Sequence, residues 1–137
     1  MIIDDSKVIS QGLEKLLLDI EGIEITCVAE DGQKAIEEFS KTNPDLVILD
    51  LMIPKINGTD VLKEIRAIDD NTIIIVLTNY NQSYFRKLCS TLGADYFLDK
   101  SAEFNKVYQI CFNIINPNAE HDTDYLLLNN HNRKVHG

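Results

Sequence analysis

The sequence predicts a doubly wound α/β fold, in which a parallel sheet of five strands carries helices on both faces. Strand-like segments alternate with segments whose apolar residues recur at helical spacing, so the order is βα repeated five times. Two of the strands, at residues 46–49 and 72–77, contain unbroken apolar runs, as strands buried on both faces do. Short connections between parallel strands favour right-handed crossovers, which place helices on both sides.

The first half of the chain predicts two strands and two helices. Residues 1–3 form the end of a strand, and residues 23–29 form a second strand with the mixed composition of a sheet edge. Gly22 ends the first helix, and Asp31 and Gly32 begin the second. The first helix, residues 6–20, is predicted from an apolar stripe: Val8, Ile9, Leu13, Leu16, Leu17 and Ile20.

The second half begins where Pro44 breaks the second helix and a buried strand leads to Asp50. Gly58 marks a turn, and Gly93 is a candidate left-handed helix cap. The remaining predicted elements are a helix from Thr59, a strand at 72–77, a helix at 83–92, a strand at 95–98 and a helix at 102–115.

The domain organisation follows from where this pattern stops. Residues 1–116 are predicted to form one domain, and residues 117–137 a polar, poorly ordered tail rich in Asn, His and Asp. The tail contains one apolar island at 125–128, which is either a short docking segment or an incidental cluster.

Composition excludes several classes of function. A net charge of −9 argues against a nucleic-acid surface, and no apolar run approaches the length of a membrane helix. No secretory signal is visible, and three widely spaced cysteines are typical of buried thiols in a reducing compartment, so we expect a cytoplasmic protein. All three histidines lie in the tail, which excludes histidine catalysis in the domain.

Charged and hydroxyl side chains gather where the predicted strands end. Asp4 and Asp5 follow the first strand, Asp50 ends the third, Thr78 ends the fourth and Lys100 follows the fifth. The carboxyl ends of parallel strands meet at one edge of a sheet, so these groups are expected to lie together. Taken singly each has an ordinary explanation, except Asp50, because a buried charge without a partner is costly.

Together these groups favour phosphoryl chemistry. Carboxylates that share a pocket repel, and Lys100 compensates only one negative charge. Carboxylate and carbonyl oxygens suit octahedral Mg²⁺, and a pocket of Mg²⁺, ammonium and hydroxyl suits a phosphoryl group. A carboxylate facing that group is able to accept it as an aspartyl-phosphate.

From residue 1 to about 115 the chain resembles the receiver domain of two-component response regulators. The resemblance rests on Asp4-Asp5, on Asp50 within Leu-Asp-Leu-Met-Ile-Pro, on Gly58 and Thr78, and on the run Gly-Ala-Asp-Tyr-Phe-Leu-Asp-Lys that ends at Lys100. It implies a flavodoxin-like fold, as in the chemotaxis Y protein, with strand order 2-1-3-4-5.

The resemblance assigns a phosphoacceptor and a metal site. Asp50 would be the phosphoacceptor. Asp5, Asp50 and the backbone carbonyl of Met52 would bind Mg²⁺ as the cofactor, with Asp4 assisting through water.

The resemblance also assigns a switch. Lys100 would pair with the phosphoryl oxygens, and the hydroxyl of Thr78 would hydrogen-bond one of them after phosphorylation. Phe97 occupies the position of the family's rotamer-switching aromatic residue, although an ordinary core residue is an equal alternative. The surface that changes would be the fourth helix, fifth strand and fifth helix.

The implied partners are a sensor histidine kinase or phosphotransfer protein as phosphodonor, and a downstream protein target or a second copy of the chain. The last helix carries apolar residues on more than one face, so some are expected to be exposed and to serve such contacts. No direct contact with nucleic acid or membrane is expected. The chain is either a stand-alone receiver or one cut from a longer protein.

Three features depart from the family pattern. Ser101 stands where many relatives have a cis proline, so a trans bond is expected. The first strand is short, so either the true start lies upstream or the chain has been trimmed. Met52 and Tyr80 flank the expected phosphoryl position without an acid or amide to orient water, which predicts a long-lived aspartyl-phosphate.

Other classes of function fit less well. The protein is not expected to be an enzyme beyond phosphorylating itself and slowly losing the phosphate. A haloacid-dehalogenase phosphatase needs an acid where Met52 lies, and neither a flavodoxin phosphate loop nor a Gly-x-x-x-x-Gly-Lys loop is present. The remaining alternative is an interaction module that works without phosphorylation.

Overall fold

The structure is a computed structural model that describes residues 1–118. The predicted polar tail, including the island at 125–128, therefore lies outside the described residues except for Pro117 and Asn118.

The described residues form one parallel sheet in the order β2-β1-β3-β4-β5, which confirms the predicted doubly wound architecture. The strands are β1 (Ile2–Ile3), β2 (Val28–Ala29), β3 (Leu46–Leu49), β4 (Ile73–Thr78) and β5 (Tyr96–Asp99). The helices are α1 (Lys7–Leu18), α2 (Gly32–Thr42), α3 (Gly58–Ile68), α4 (Ser83–Leu92) and α5 (Lys106–Ile115).

The helix ends follow local side-chain chemistry. The side chains of Ser6, Asp31 and Asn57 each accept a hydrogen bond from a first-turn amide of α1, α2 and α3, respectively. The predicted left-handed cap is confirmed at Gly93, which ends α4 with a φ of 102°. Each cap fixes where the chain leaves the strand before it or enters the strand after it.

The second strand is much shorter than the predicted range 23–29. Its only neighbour is β1, which offers two residues, pairing Ile2 with Val28 and Ile3 with Ala29. The Ile2 amide also donates to the Cys27 carbonyl at 3.0 Å, but residues 23–26 have no strand to pair with in the described part of the chain. The composition of residues 23–29 is that of an edge strand, but it does not reveal that most of the segment lacks a ladder partner.

The last helix begins at Lys106, four residues later than predicted. The backbone amide of Asp99 donates to the Glu103 carboxylate at 3.0 Å, and the Glu103 amide donates to the Asp99 carbonyl at 2.8 Å. These bonds hold residues 99–103 in a turn that competes with the helix. Ile115 of α5 is exposed, as expected for a helix with more than one apolar face.

The sheet is buried on both faces, as the unbroken apolar runs predicted. On the face covered by α2, α3 and α4, buried side chains include Val47, Leu49, Ile74, Val76 and Phe97. On the face covered by α1 and α5 they include Ile2, Ile48, Ile75, Leu77 and Leu98. Alternate residues of one strand thus enter opposite layers of the core.

A buried ion pair connects α3 with the sheet edge opposite the acidic residues. The Arg66 guanidinium donates to Asp95 at 3.0 Å and to the carbonyls of Gly93 and Thr72 at 2.9 and 2.6 Å. The Ile74 amide donates to the same Asp95 oxygen at 2.8 Å. The network joins α3, β4 and the turn before β5, and no motif in the sequence indicates it.

The three cysteines are free; Cys89 and Cys111 are buried and Cys27 is half-buried. Within residues 1–118, no helix is both long enough and apolar enough to cross a membrane.

Candidate functional site

The predicted strand-end residues meet at the carboxyl edge of the sheet. Asp4 directly follows β1, Asp50 follows β3, Thr78 is the last residue of β4 and Lys100 follows β5. Carboxylate oxygens of Asp4, Asp5 and Asp50 lie within 4.8 Å of one another. Strand order therefore brings together residues that are distant in the chain. Asp4 and Lys100, for example, are 96 positions apart (100 − 4).

Lys100 bridges two of these carboxylates. Its ammonium nitrogen lies 2.8 Å from Oδ2 of Asp4 and 2.8 Å from Oδ2 of Asp50. All three side chains are at most 10% exposed. Charge-assisted hydrogen bonds at this distance and burial fix the positions of the carboxylates.

Backbone amides hold the other carboxylate oxygens. The Ser6 amide donates to Oδ1 of Asp4 at 2.8 Å, and the Met52 amide donates to Oδ1 of Asp50 at 3.2 Å. Asp5 is exposed, in contrast to its buried neighbour. Two carboxylates are thus held rigidly, and a third is accessible from solvent.

Burial and neighbouring charges have opposing effects on the pKa of Asp4 and on the pKa of Lys100. Burial raises the pKa of Asp4, although the Lys100 and Ser6 hydrogen bonds oppose the shift. For Lys100, burial is the largest single influence and lowers the pKa. The hydrogen bonds and charges of Asp4 and Asp50 together outweigh burial, so the pKa of Lys100 is raised and its ammonium stays charged.

Gly58 allows the loop after Asp50 to close tightly. The Gly58 amide donates to the Leu51 carbonyl at 3.0 Å, and a Cβ at Gly58 would lie 2.5 Å from the Asp50 carbonyl oxygen. Any larger residue would push against the backbone that carries Asp50. Gly58 belongs to the motif found in the sequence, which does not itself reveal this close approach to the Asp50 backbone.

Thr78 and Phe97 are both buried, in β4 and β5 respectively. The Thr78 hydroxyl oxygen accepts from the Tyr80 amide at 3.2 Å, and the Lys100 amide donates to the Thr78 carbonyl at 2.9 Å. Phe97 is 1% exposed, and the Arg86 guanidinium of α4 lies 4.9 Å from its ring centroid. The candidate switch aromatic is therefore a core residue in this arrangement.

Two hydrogen bonds join the loops that follow β4 and β5. Asn81 donates to the Asp99 carboxylate at 2.7 Å, and the Ser101 hydroxyl donates to Asn79 at 3.0 Å. In the sequence, only the side-chain amides of Asn79 and Asn81, close to Thr78, hint at these contacts. Residues 1–118 contain no cis peptide bond, so the bond before Ser101 is trans, as expected.

The donor set fits a hard divalent cation. Three carboxylates and one ammonium leave a formal charge of −2, since −3 + 1 = −2, which a divalent ion would balance. The ligands are oxygens, as Mg²⁺ prefers, and the described chain has no histidine or cysteine in this cluster. Asp5 and Asp50 are the residues placed to hold the ion, with Asp4 close by.

The family of response regulator receiver domains matches residues 1–111, and the chain belongs to this family. It has the flavodoxin-like receiver fold and is a receiver domain of the two-component response regulators.

Two curated bacterial proteins are among its relatives. The chain is 32% identical over 107 residues to the DNA-binding transcriptional activator EvgA of Escherichia coli K12, covering 78% of this chain and 52% of EvgA. It is 35% identical over 100 residues to the transcriptional regulatory protein TrcR of Mycobacterium tuberculosis, covering 73% of this chain and 38% of TrcR. The chain thus spans about half of one relative and less of the other.

Solved structures of receiver domains have a similar fold. A chain of the CheX–CheY–BeF₃–Mg²⁺ complex from Borrelia burgdorferi is 29% identical with a TM-score of 0.76, and the match covers 83% of this chain and 86% of that one. The Francisella response regulator 1452 receiver domain is also 29% identical, with a TM-score of 0.73 and coverage of 83% and 92%.

Proposed function

We propose that the protein is a Mg²⁺-dependent phosphoacceptor in which Asp50 receives a phosphoryl group from a sensor histidine kinase or phosphotransfer protein. The observation that supports this most strongly is the bridge from Lys100 to both Asp50 and Asp4, beside the accessible carboxylate of Asp5. The bridge combines a candidate nucleophile, a fixed cation and an incomplete oxygen ligand set in one place.

The transfer is an in-line displacement. An Asp50 carboxylate oxygen forms the new P–O bond, and the P–N bond to the donor histidine breaks, so that the histidine ring keeps the electron pair. Mg²⁺, when bound, neutralises charge on the phosphoryl oxygens. Lys100 remains as a fixed cation, because its raised pKa keeps it protonated near neutral pH.

The modified aspartate then offers a charged acceptor to the Thr78 hydroxyl, whose oxygen at present accepts from the Tyr80 amide. We infer that the hydroxyl donates to a phosphoryl oxygen and that the loop after β4 moves toward Asp50. Phe97 follows if that movement opens space beside it. The hydrogen bonds of Asn81 to Asp99 and of Ser101 to Asn79 would be re-formed in the new arrangement.

The proposed output is a protein contact through α4, β5 and α5, either with a target or with a second copy. This surface carries exposed Tyr84 and Ile115. We propose that the protein acts in the cytoplasm and catalyses nothing beyond its own phosphorylation and the slow loss of the phosphate.

The second candidate is an interaction module that works without phosphorylation. It is favoured only by the closed state of the site, in which Lys100 already satisfies Asp50. The two candidates differ in whether Asp50 is modified.

Intact-protein mass spectrometry after incubation with acetyl phosphate and Mg²⁺ separates them. The parent is expected to gain one phosphate, and Asp50→Asn none. The matched control is Asp45→Asn, an exposed aspartate at the other end of the same strand, which should behave as the parent. Chelation of Mg²⁺ should abolish the gain.

An unmodified parent that still binds Mg²⁺ would favour the interaction module. A phosphate gained equally by Asp50→Asn would overturn the assignment of Asp50.

A further inference from the structure

The loop between β3 and α3 is held by a contact with the start of α2. The Gly32 amide, in the first turn of α2, donates to the Pro54 carbonyl at 3.0 Å. The Ile56 amide donates to the same carbonyl at 2.9 Å. This loop follows Asp50 and carries Met52, so its middle is anchored by a helix that lies outside the acidic cluster.

There is no room for a side chain at the point where α2 meets this loop. Gly32 is buried, and a Cβ at this position would overlap the Ile56 carbonyl oxygen. It would also lie 2.7 Å from the Ile56 Cβ and 2.8 Å from the Ile56 carbonyl carbon. The oxygen and the carbonyl carbon belong to the backbone, which has no rotamer to change. Any larger residue at position 32 must therefore displace the loop.

The loop keeps a backbone conformation that a residue with a side chain disfavours. Lys55 has a φ of 71°, in the left-handed region. Together with the bond from Ile56 to Pro54, this φ makes a three-residue turn of the strained, positive-φ kind. The Lys55 ammonium lies 3.5 Å from Oδ2 of Asp31, whose Oδ1 accepts from the Lys34 amide at 2.8 Å. Such strain persists only where the surrounding structure holds it, and here the start of α2 does so.

Met52 lies between two anchored points of the loop. Before it, the Leu51 carbonyl accepts from the Gly58 amide at 3.0 Å. After it, the Pro54 carbonyl accepts from the Gly32 amide. A single residue separates Pro54 from Met52, so the chain between them is too short to absorb a displacement at Pro54.

We propose that Gly32 is a positioning residue for the metal site, which acts through Pro54 to fix the place of the Met52 backbone carbonyl. This role rests on the proposed function, in which that carbonyl is a ligand of Mg²⁺. Mg²⁺ demands near-ideal octahedral geometry, so its affinity falls when a ligand is displaced. By linkage, the bound ion stabilises the Gly32 contact as much as the contact favours the ion.

The first test compares Gly32→Ala with Gly12→Ala in the full chain. A Cβ at Gly12 would meet only the end of the Phe104 ring, at 3.3 Å, and this side chain is able to turn aside. Gly32→Ala is expected to weaken Mg²⁺ binding by about tenfold or more, as changes outside the ligand set commonly do. Gly12→Ala should bind as the parent does. Calorimetric titration measures the affinity, and Tm without Mg²⁺ shows whether each variant is folded.

Amide hydrogen exchange in the unaltered chain tests the contact even if Gly32→Ala does not fold. Nuclear magnetic resonance of isotope-labelled protein follows the Gly32 amide. The control is the Asn43 amide at the other end of α2, which donates to the Phe39 carbonyl at 3.0 Å. Saturating Mg²⁺ is expected to slow exchange at Gly32 several-fold and to leave exchange at Asn43 unchanged.

A folded Gly32→Ala protein that binds Mg²⁺ as tightly as the parent would overturn the proposal. Equal slowing, or no slowing, of the Gly32 and Asn43 amides in a parent that binds Mg²⁺ would overturn it too. In either case, Mg²⁺-dependent phosphorylation of the parent would still support the proposed function. A parent that neither binds Mg²⁺ nor gains phosphate would overturn both.

Discussion

Lys100 is the residue on which the chemistry of the site depends most directly. It supplies the only cation within hydrogen-bonding distance of Asp4 and Asp50 among the described residues. We predict that Lys100→Ala slows phosphorylation by acetyl phosphate by about 100-fold or more, the usual cost of removing a fixed donor from a developing charge. The rate is measured by intact mass over time, with circular dichroism to verify folding.

The control for Lys100 is Lys41→Ala, which removes an exposed lysine whose carboxylate partner lies 3.8 Å away. It should leave the rate unchanged. A Lys100→Ala protein that is folded and reacts at the parental rate would contradict the role given to this ammonium.

Met52 bears on how long the phosphate survives. Its side chain is 55% exposed two residues after Asp50, and a thioether does not orient an attacking water. We predict that the aspartyl-phosphate lasts for minutes or longer and that Met52→Asn shortens its lifetime several-fold. One phosphoryl group adds about 80 Da to the protein mass. Loss of this added mass within seconds in the parent would refute the hypothesis.

At the scale of elements, the ion pair of Arg66 and Asp95 holds α3 against β4 and the turn before β5. Both side chains are nearly buried, at 12% and 5% exposure. We predict that Asp95→Ala lowers the free energy of unfolding by about 3–5 kcal/mol, because the buried Arg66 charge loses its carboxylate and the Ile74 amide loses its acceptor. Urea denaturation measures the loss.

The matched comparison is Glu38→Ala, which breaks the surface pair with Lys41 and should cost less than about 1 kcal/mol. Similar losses for the two variants would mean that the buried network does not hold these elements together.

Elements whose own residues specify them were predicted well, and those that depend on a neighbour were not. The helix at 83–92 was predicted at its observed bounds, because its apolar stripe and Gly93 are both local signals. Residues 23–26 have the mixed composition of an edge strand but lack a partner, since β1 is only two residues long. The start of α5 depends on a turn closed by Glu103 and Asp99, which helical periodicity does not reveal.

For the whole molecule, the buried thiols should lower the free energy of unfolding as the pH becomes alkaline. Burial raises the pKa of Cys89 to about 11 and that of Cys111 to about 12, from an ordinary value of 9.0. Their contribution is fully present below pH 9 and is lost as the pH rises, because only the unfolded chain then ionises. We predict a loss of about 1.4 kcal/mol per pH unit for each thiol above pH 9.

Urea denaturation at pH 8 and 10 measures this dependence. Cys89→Ala and Cys111→Ala should each remove the share of one thiol from the difference between the two pH values. A pH dependence identical in parent and variants would show that these thiols ionise alike in both states.

Most of the candidate site could be predicted from the sequence because the fold as a whole positions it. Asp4, Asp50, Thr78 and Lys100 were placed together because strand order brings strand ends to one edge, and the structure agrees. The contact from Ser101 to Asn79 and the arginine over Phe97 arise from loop and helix packing, which leaves no motif in the sequence.

We propose that Asp50, and no other carboxylate, accepts the phosphoryl group. The most direct measurement is to treat the protein with acetyl phosphate and Mg²⁺, reduce the acyl phosphate with borohydride to an alcohol, and locate that alcohol by peptide mass spectrometry. We predict a single reduced residue at position 50. Reduction at Asp4 or Asp5, or at no residue while the protein still binds Mg²⁺, would contradict the claim.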